Sequence, residues 1–532
     1  VNPLILRGIR ERLRGKHLIA AGLFSLIVTS TVYFVPYLHE AGGGWQGEPS
    51  PVRGARYAFT WLLGLQGFFL MFLGTGRVAA ITAEEKESGL MDYQRMTPMN
   101  PFSKILGYLF GLPAREYYMF VLTLPFLLHC MIVGELSIDN VLHLYFVFFS
   151  SVALYHLTGH VIGLVVPKPR AASWVSRIVV LGLYVFLPGF GQIGISFLSF
   201  LTILPTYFGK MLPELISFDN GGHRRWENDM IDFWQDVPFF TTEISPSVFT
   251  LIMQGLILAA LLITAYRKWR NDSLPAFSKS SGIIIFAVFQ FLLLGCLWPF
   301  FSEGKASGLL GESIALNNGP ALPYLIGVQS IFFGLSLLGI LTLVNTCCPN
   351  QHLHLKGAQR ANRLGLSSIP LAADESRGTW FVLILSAMVC TVHAILLQQA
   401  IASNLFFSKI PGLEAVFLPS LLIIACSLYL QAARELWFSL GFWGFVGLLW
   451  ITPLLACLVL AVGWGQEHFD LISLLSSLCP ILSLPQTLAS QYSIPAPDQI
   501  AQIWSKGPWV GLGTACSLAA YLSFRLYRKP TK

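Results

Sequence analysis

Most of the residues able to do chemistry near the front of this apolar chain lie in one short stretch. Residues 81 to 101 read ITAEEKESGLMDYQRMTPMNP, the most charged short segment of the chain's first part. Glu84, Glu85, Glu87 and Asp92 supply carboxylates, and Lys86 and Arg95 are interspersed with them. Apolar runs flank the stretch on both sides, Phe59 to Ala80 before it and Tyr117 to Val133 after it. Charges at this density belong outside a bilayer, where a polar partner can meet them. The plainer reading is a solvated acidic loop.

Three other clusters have suggestive side chains. His223, Arg224 and Arg225 precede Asp229, Asp232 and Asp236, a possible catalytic carboxylate group. No nucleophile–base or metal-ligand spacing stands out there. Trp226, Met230, Phe233, Trp234 and Phe240 suit an interfacial loop with aromatics at the headgroup level instead. His156 and His160 are four residues apart on one helix face, and His393 lies in a later apolar run. A proton relay or metal pair is the sharp reading, and hydrogen-bonding glue between helices is the plain one, which extends to Gln254, Gln290 and Gln431. Cys347-Cys348 with His352 and His354 does not follow a standard ligand spacing. The other cysteines, such as Cys130, Cys390, Cys426 and Cys457, sit in apolar runs as small hydrophobes. No metal and no cofactor is expected. The chain also lacks the phosphate-loop pattern G-x-x-x-x-G-K-[ST], so it cannot hydrolyse ATP by that route.

The elements around the acidic stretch must position it. Thr82 followed by Glu85 reads as a capping box, with Glu84 and Glu85 in a first helical turn. Thr97-Pro98 breaks the chain. Asn100 caps a second helix, with Pro101 at its first position. That helix leads into the next apolar run.

The run Glu85-Lys86-Glu87-Ser88-Gly89-Leu90-Met91-Asp92, then Thr97-Pro98, resembles the signature of exporter-type ABC transporter permeases of the second class. Glu85, Glu87, Gly89 and Pro98 fall on the pattern. Asp92 replaces the usual last Glu, and Leu90 stands where Thr is common. In that family the region precedes the third span and contacts a separate ATPase. The resemblance therefore implies a coupling site made of Glu84, Glu85, Glu87, Gly89, Asp92, Arg95 and Pro98, and a separate ABC ATPase subunit as partner. It also implies a bilayer setting and leaves room for further membrane or periplasmic subunits.

The bulk properties agree with a membrane protein. The chain has 532 residues, 54% hydrophobic and 11% charged, against about 25% charged in soluble domains. The net charge of +7 reads as an orientation signal rather than an affinity for nucleic acid. Residues 3 to 14 place Leu4, Ile5, Ile9 and Leu13 on one face and Arg7, Arg10 and Arg14 on the other. This suits either an interfacial helix or a basic tail that sets topology. No cleavable signal peptide is expected.

The fold class expected is all-α polytopic, with about twelve transmembrane helices as two tandem six-helix halves. The expected spans are near 17–38, 55–80, 117–133, 141–166, 172–187, 248–266, 282–300, 324–344, 379–398, 415–430, 440–462 and 509–527. Residues 1–270 form the first half and 271–532 the second, divergent one. Semi-polar, proline-punctuated segments at 191–208 and 469–489 hold equivalent places. The first is expected to be re-entrant or interfacial. Basic clusters place both termini in the cytoplasm, and the resemblance implies the inner (plasma) membrane. The second polar segment, 345–378, has no acidic signature; it has decayed, docks differently, or is a linker.

Three functions remain open at this point. The first is the permease subunit of an ABC transporter, not itself an enzyme. The second is a membrane enzyme acting on lipid-linked substrates through residues 209–245. The third is an ion-coupled secondary transporter that depends on His156 or His160.

Overall fold

The computed structural model describes residues 2–43, 49–192, 196–216, 231, 234–271, 275–303, 321–404, 406, 411–464, 469–492 and 498–528. The chain divides into two compact units, which part near residue 273. The described residues are overwhelmingly helical, with one short hairpin of Val237–Phe239 and Thr242–Ile244. Ten described helices are long and apolar enough to cross a membrane. The protein is an all-α, multi-pass membrane protein. The spans expected near 172–187 and 509–527 fall on helices Pro169–Gln192 and Asp498–Arg528, which are not among those ten.

In the first unit, α1 (Pro3–Arg12) starts at Asn2, whose side chain accepts from the Leu4 amide. α2 (Gly15–Ala41) is the first long apolar helix. α3 (Pro51–Glu87) runs for 37 residues, about 55 Å at the helical rise. A hydrocarbon core is about 30 Å thick, so α3 must project beyond it. Its turns widen to an i→i+5 pattern over Phe68–Gly74. α4 (Leu90–Met96) and α5 (Pro101–Gly111) follow. Next come α6 (Ala114–Val133), α7 (Ile138–Val165), α8 (Pro169–Gln192) and, after short helical pieces between Ser196 and Ile216, α9 (Pro246–Arg270).

Glycine permits a close contact between α7 and α3. A Cβ on Gly159 would lie 2.7 Å from the Thr75 carbonyl, and one on Gly163 would lie 2.6 Å from that of Ala79. The Gly159-x-x-x-Gly163 spacing thus lets α7 touch the backbone of α3, as small residues do in membranes. Phe59, Leu62, Phe148 and Tyr155 form part of the main core around this contact.

In the second unit, α10 (Lys279–Glu303) and α11 (Ala321–Cys347) lead to a polar segment containing α12 (Gln351–Arg363). α13 (Thr379–Ala402), α14 (Glu414–Leu436) and α15 (Ser439–Val459) are the remaining long apolar helices. Phe469–Leu478, Pro480–Gln491 and Asp498–Arg528 complete the unit. Residues 345–378 are ordered. Asn350 caps α12 by accepting from the Leu353 amide at 2.9 Å.

Candidate functional site: the segment between the second and third apolar helices

The acidic stretch begins differently from its sequence signature. No helix starts at Thr82. α3 continues unbroken through it to Glu87, so the expected capping box does not form. Thr82 and Glu85 instead project sideways into the packing. The pattern Thr-x-x-Glu looks the same inside a helix as at its start, and here the partners lie on other helices.

Glu85 is 6% exposed. One carboxylate oxygen pairs with Arg7 Nη2 of α1 at 3.1 Å. The other accepts from the Tyr108 hydroxyl of α5 and, at 3.2 Å, from Gln94 Nε2 of α4. Tyr108 lies within 2.9 Å of Gln94 Oε1 as well. One carboxylate therefore ties α1, α3, α4 and α5 together. Burial, and then the charge of Glu85 beside it, push the Tyr108 phenol well above its ordinary value, so it stays protonated and donates. A hydrogen bond to Glu11 raises the Arg7 guanidinium, with Glu85 assisting and burial opposing.

A second polar chain runs alongside. Trp269 Nε1 of α9 donates to His160 Nε2 at 2.9 Å. That leaves the Nδ1–H of His160 to donate to Thr82 Oγ1 at 3.0 Å. Trp269 and Tyr108 meet edge to face with ring centroids 5.3 Å apart. Met91, Ile105, Leu157 and Leu164 enclose these rings in an apolar cluster.

α4 is seated from below by this cluster and fastened at its ends. Gly89, with φ +74°, takes the left-handed turn that lets the chain leave α3 and start α4. Arg95 donates to the Trp269 carbonyl at 3.2 Å and the Lys268 carbonyl at 3.1 Å. It also pairs with Asp92 at 2.5 Å. The last carbonyls of α9 thereby gain a cation, as a helix C-terminus prefers. Lys104 Nζ donates to the Gln94 carbonyl at 2.7 Å and the Thr97 carbonyl at 3.3 Å. Burial lowers the Lys104 ammonium below its ordinary value. Asn100 caps α5 as its position predicts, accepting from the Phe102 amide at 3.0 Å. Pro98 lies in the exposed bend before it.

The residues of the sequence signature therefore separate by direction. Glu85 faces inward. Glu84, Glu87, Gly89, Asp92 and Pro98 are exposed, and Arg95 is half-buried. Tyr93 and Met96 are 65% and 78% exposed on the same short helix. The outer face of α4 is thus an apolar tip among carboxylates. Arg7, Gln94, Lys104, Tyr108 and Trp269 have structural roles here that the sequence reading did not assign. Two glycine spacings are local signals for the packing beneath: Gly159-x-x-x-Gly163 against α3, and Gly107-x-x-x-Gly111 against α1.

The other clusters resolve as follows. His156 Nε2 lies 2.9 Å from the Leu70 carbonyl, and His393 Nε2 lies 3.2 Å from that of Ala415. Gln254 donates to Ser151 at 2.8 Å and Gln290 to Ser336 at 3.0 Å. These are interhelical hydrogen bonds. Gln431 bonds Glu435 within α14. Cys347 and Cys348 are buried, and His354 Nδ1 lies 2.9 Å from the Glu375 carbonyl. Among the described residues there is no group of three or more His, Cys, Asp or Glu that could hold a metal ion. His223, Asp229 and Asp232 lie outside the described residues.

Compared with protein families, curated proteins and solved structures, the chain shows no match.

Proposed function

We propose that the chain is the membrane-spanning permease subunit of an ABC-type transporter, driven by a separate ATPase that docks on α4. The observation that carries this reading is the two-faced build of α4. Its inner face is bolted to the ends of α3 and α9 through Glu85, Gln94 and Arg95. Its outer face presents Tyr93 and Met96 among Glu87 and Asp92. A push on such a helix passes directly into two apolar helices. These 532 residues hold no phosphate loop, in keeping with an energy source that docks on them from outside.

In this reading the two units are tandem halves of about six spans each. Both termini and the acidic segment face the cytoplasm, in keeping with the basic clusters at Arg267 to Arg270 and Arg525 to Lys532. The membrane is the inner (plasma) membrane. Glu85 acts as a positioning residue, and Glu84, Glu87, Asp92 and Tyr93 meet the partner.

Co-purification with an ATPase encoded beside this chain tests the reading. Tyr93→Ala should weaken the complex about thirtyfold if it is a central contact, and Glu87→Lys should weaken it further in low salt. A chain that binds no ATPase, or whose complex ignores both substitutions, contradicts it. No described contact favours the membrane-enzyme or ion-coupled readings over this one.

A further inference from the structure

A cavity of ≈ 460 Å³ lies in the first unit between α3 and α8. Ligand pockets run to about 300–1,000 Å³, so this one is large enough for a chain-like ligand. Leu63, Phe68, Met71, Val180, Leu181 and Ile203 make its wall almost wholly apolar. The widened turns at Phe68–Gly74 run along it, a departure from α-geometry that recurs at functional sites. Thr60 to Phe72, the α3 side of the wall, spans about 18 Å at the helical rise. The rim residues Phe68 and Leu181 are 45% and 53% exposed. The long dimension, the dry wall and the exposed rim suit an acyl chain entering from the bilayer.

A cation, Arg177, stands just past one end of the cavity. Arg177 precedes Val180, Leu181 and Tyr184 on α8 at the three-, four- and seven-residue spacing of one helix face. Its guanidinium carbon sits 5.6 Å from the ring centre of Phe72, which lines the cavity. Arg177 Nε is buried and has no hydrogen-bond partner. No carboxylate pairs with Arg177 among the described residues. A Cβ on Gly76 would lie 2.3 Å from that nitrogen, so the glycine makes the room the guanidinium occupies. Nε is shut in against Gly76, but Arg177 as a whole is only half-buried, so the guanidinium keeps an open side on which an anion can bind. Lys168 and Arg170 are exposed where α8 begins, about 12 Å away along the helix. A polar headgroup emerging from the cavity would meet these cations on its way to water.

We propose that this cavity binds an anionic phospholipid, with its headgroup on Arg177 and an acyl chain between α3 and α8. The apolar wall supplies retention, and the guanidinium supplies selection by charge. The site lies wholly in the first unit and does not depend on ATPase coupling.

Native mass spectrometry of the full chain, released from nanodiscs of equal phosphatidylglycerol and phosphatidylcholine, tests this. The wild type should retain phosphatidylglycerol in preference. Arg177→Gln should cut that preference about fivefold, and Arg177→Lys should keep most of it. Leu181→Trp, which fills the cavity, should remove retention of both lipids. Equal retention of the two lipids by the wild type would overturn the headgroup assignment. Retention of neither would mean the chain's own residues fill the cavity, and would overturn the site. An unchanged preference in a folded Arg177→Gln protein would also overturn it.

Discussion

Each unit carries one polar segment between its second and third long apolar helices, and the two differ in which buried ion gathers the most partners. In the first unit that ion is the Glu85 carboxylate, which gathers donors from Arg7, Gln94 and Tyr108. In the second it is the Lys279 ammonium, which is fully buried. Lys279 donates to the carbonyls of Ala373 at 2.9 Å and Ser376 at 2.6 Å, and to the Ser376 hydroxyl at 2.7 Å. Glu435 then accepts from the Gly378 amide at 2.7 Å. The outer faces differ in the same sense. The first segment exposes Glu84, Glu87 and Asp92, and the second exposes Lys356, Arg360 and Arg363. Each segment is therefore fastened by a buried carboxylate and a buried ammonium, Glu85 with Lys104 in the first and Glu435 with Lys279 in the second. The charge turned outward is free to differ, and under the proposed function it decides which surface a partner reads.

The comparison breaks most visibly at Lys279. Lys279→Met leaves several buried carbonyl and hydroxyl groups short of a donor, at about 1–3 kcal/mol each. Amide hydrogen exchange should then rise across residues 370–378, with little change at residues 85–97. Uniform exchange in both segments would show that Lys279 is not the fastening point.

The matching change in the first unit is Glu85→Ala. It removes the acceptor of a buried phenol and a charge partner of Arg7, and should cost about 2–3 kcal/mol. The loss would appear as a lower thermal midpoint and as faster exchange in residues 90–96. Glu85→Gln keeps the acceptor for Tyr108 and should cost less. Equal losses in the two variants would show that the geometry of the carboxylate does not matter.

Tyr108→Phe removes one donor from a carboxylate that retains two others. About 1–1.5 kcal/mol is expected, with no direct change at the outer face of α4. The smallest stability effect belongs to that face. Tyr93→Ala and Asp92→Asn should lie within about 0.5 kcal/mol of wild type in thermal stability, although Tyr93→Ala weakens partner binding. A large stability loss in Tyr93→Ala would mean that the tyrosine is packed rather than presented.

Much of the fold was legible because bilayer thickness fixes the length of an apolar helix. That rule located the ten long helices to within a few residues at most ends. It missed the length of α3, whose final turns are polar yet remain helical because Thr82 and Glu85 find partners on neighbouring helices. The caps at Asn2 and Asn100 are of one kind, an Asn before Pro3 and before Pro101. That pair is a strong local signal at both places. What it does not show is that the Asn2 side chain also donates to the Ser103 carbonyl of α5 at 2.5 Å. The acidic signature located the segment correctly but could not say which carboxylate turns inward. That choice depends on Tyr108, Gln94 and Arg7, and no local spacing rule connects those residues. The second segment carried no signature, and its order rests on Lys279 reaching residues more than ninety positions away.

The most direct test places a photo-crosslinking amino acid at Tyr93 of the full chain in its native membrane. The account predicts an adduct with a separate polypeptide that contains the G-x-x-x-x-G-K-[ST] phosphate loop, and far less of that adduct from a crosslinker at the buried Met91. Adducts with lipid alone, or labelling of position 93 by reagents confined to the outside of the cell, would contradict it.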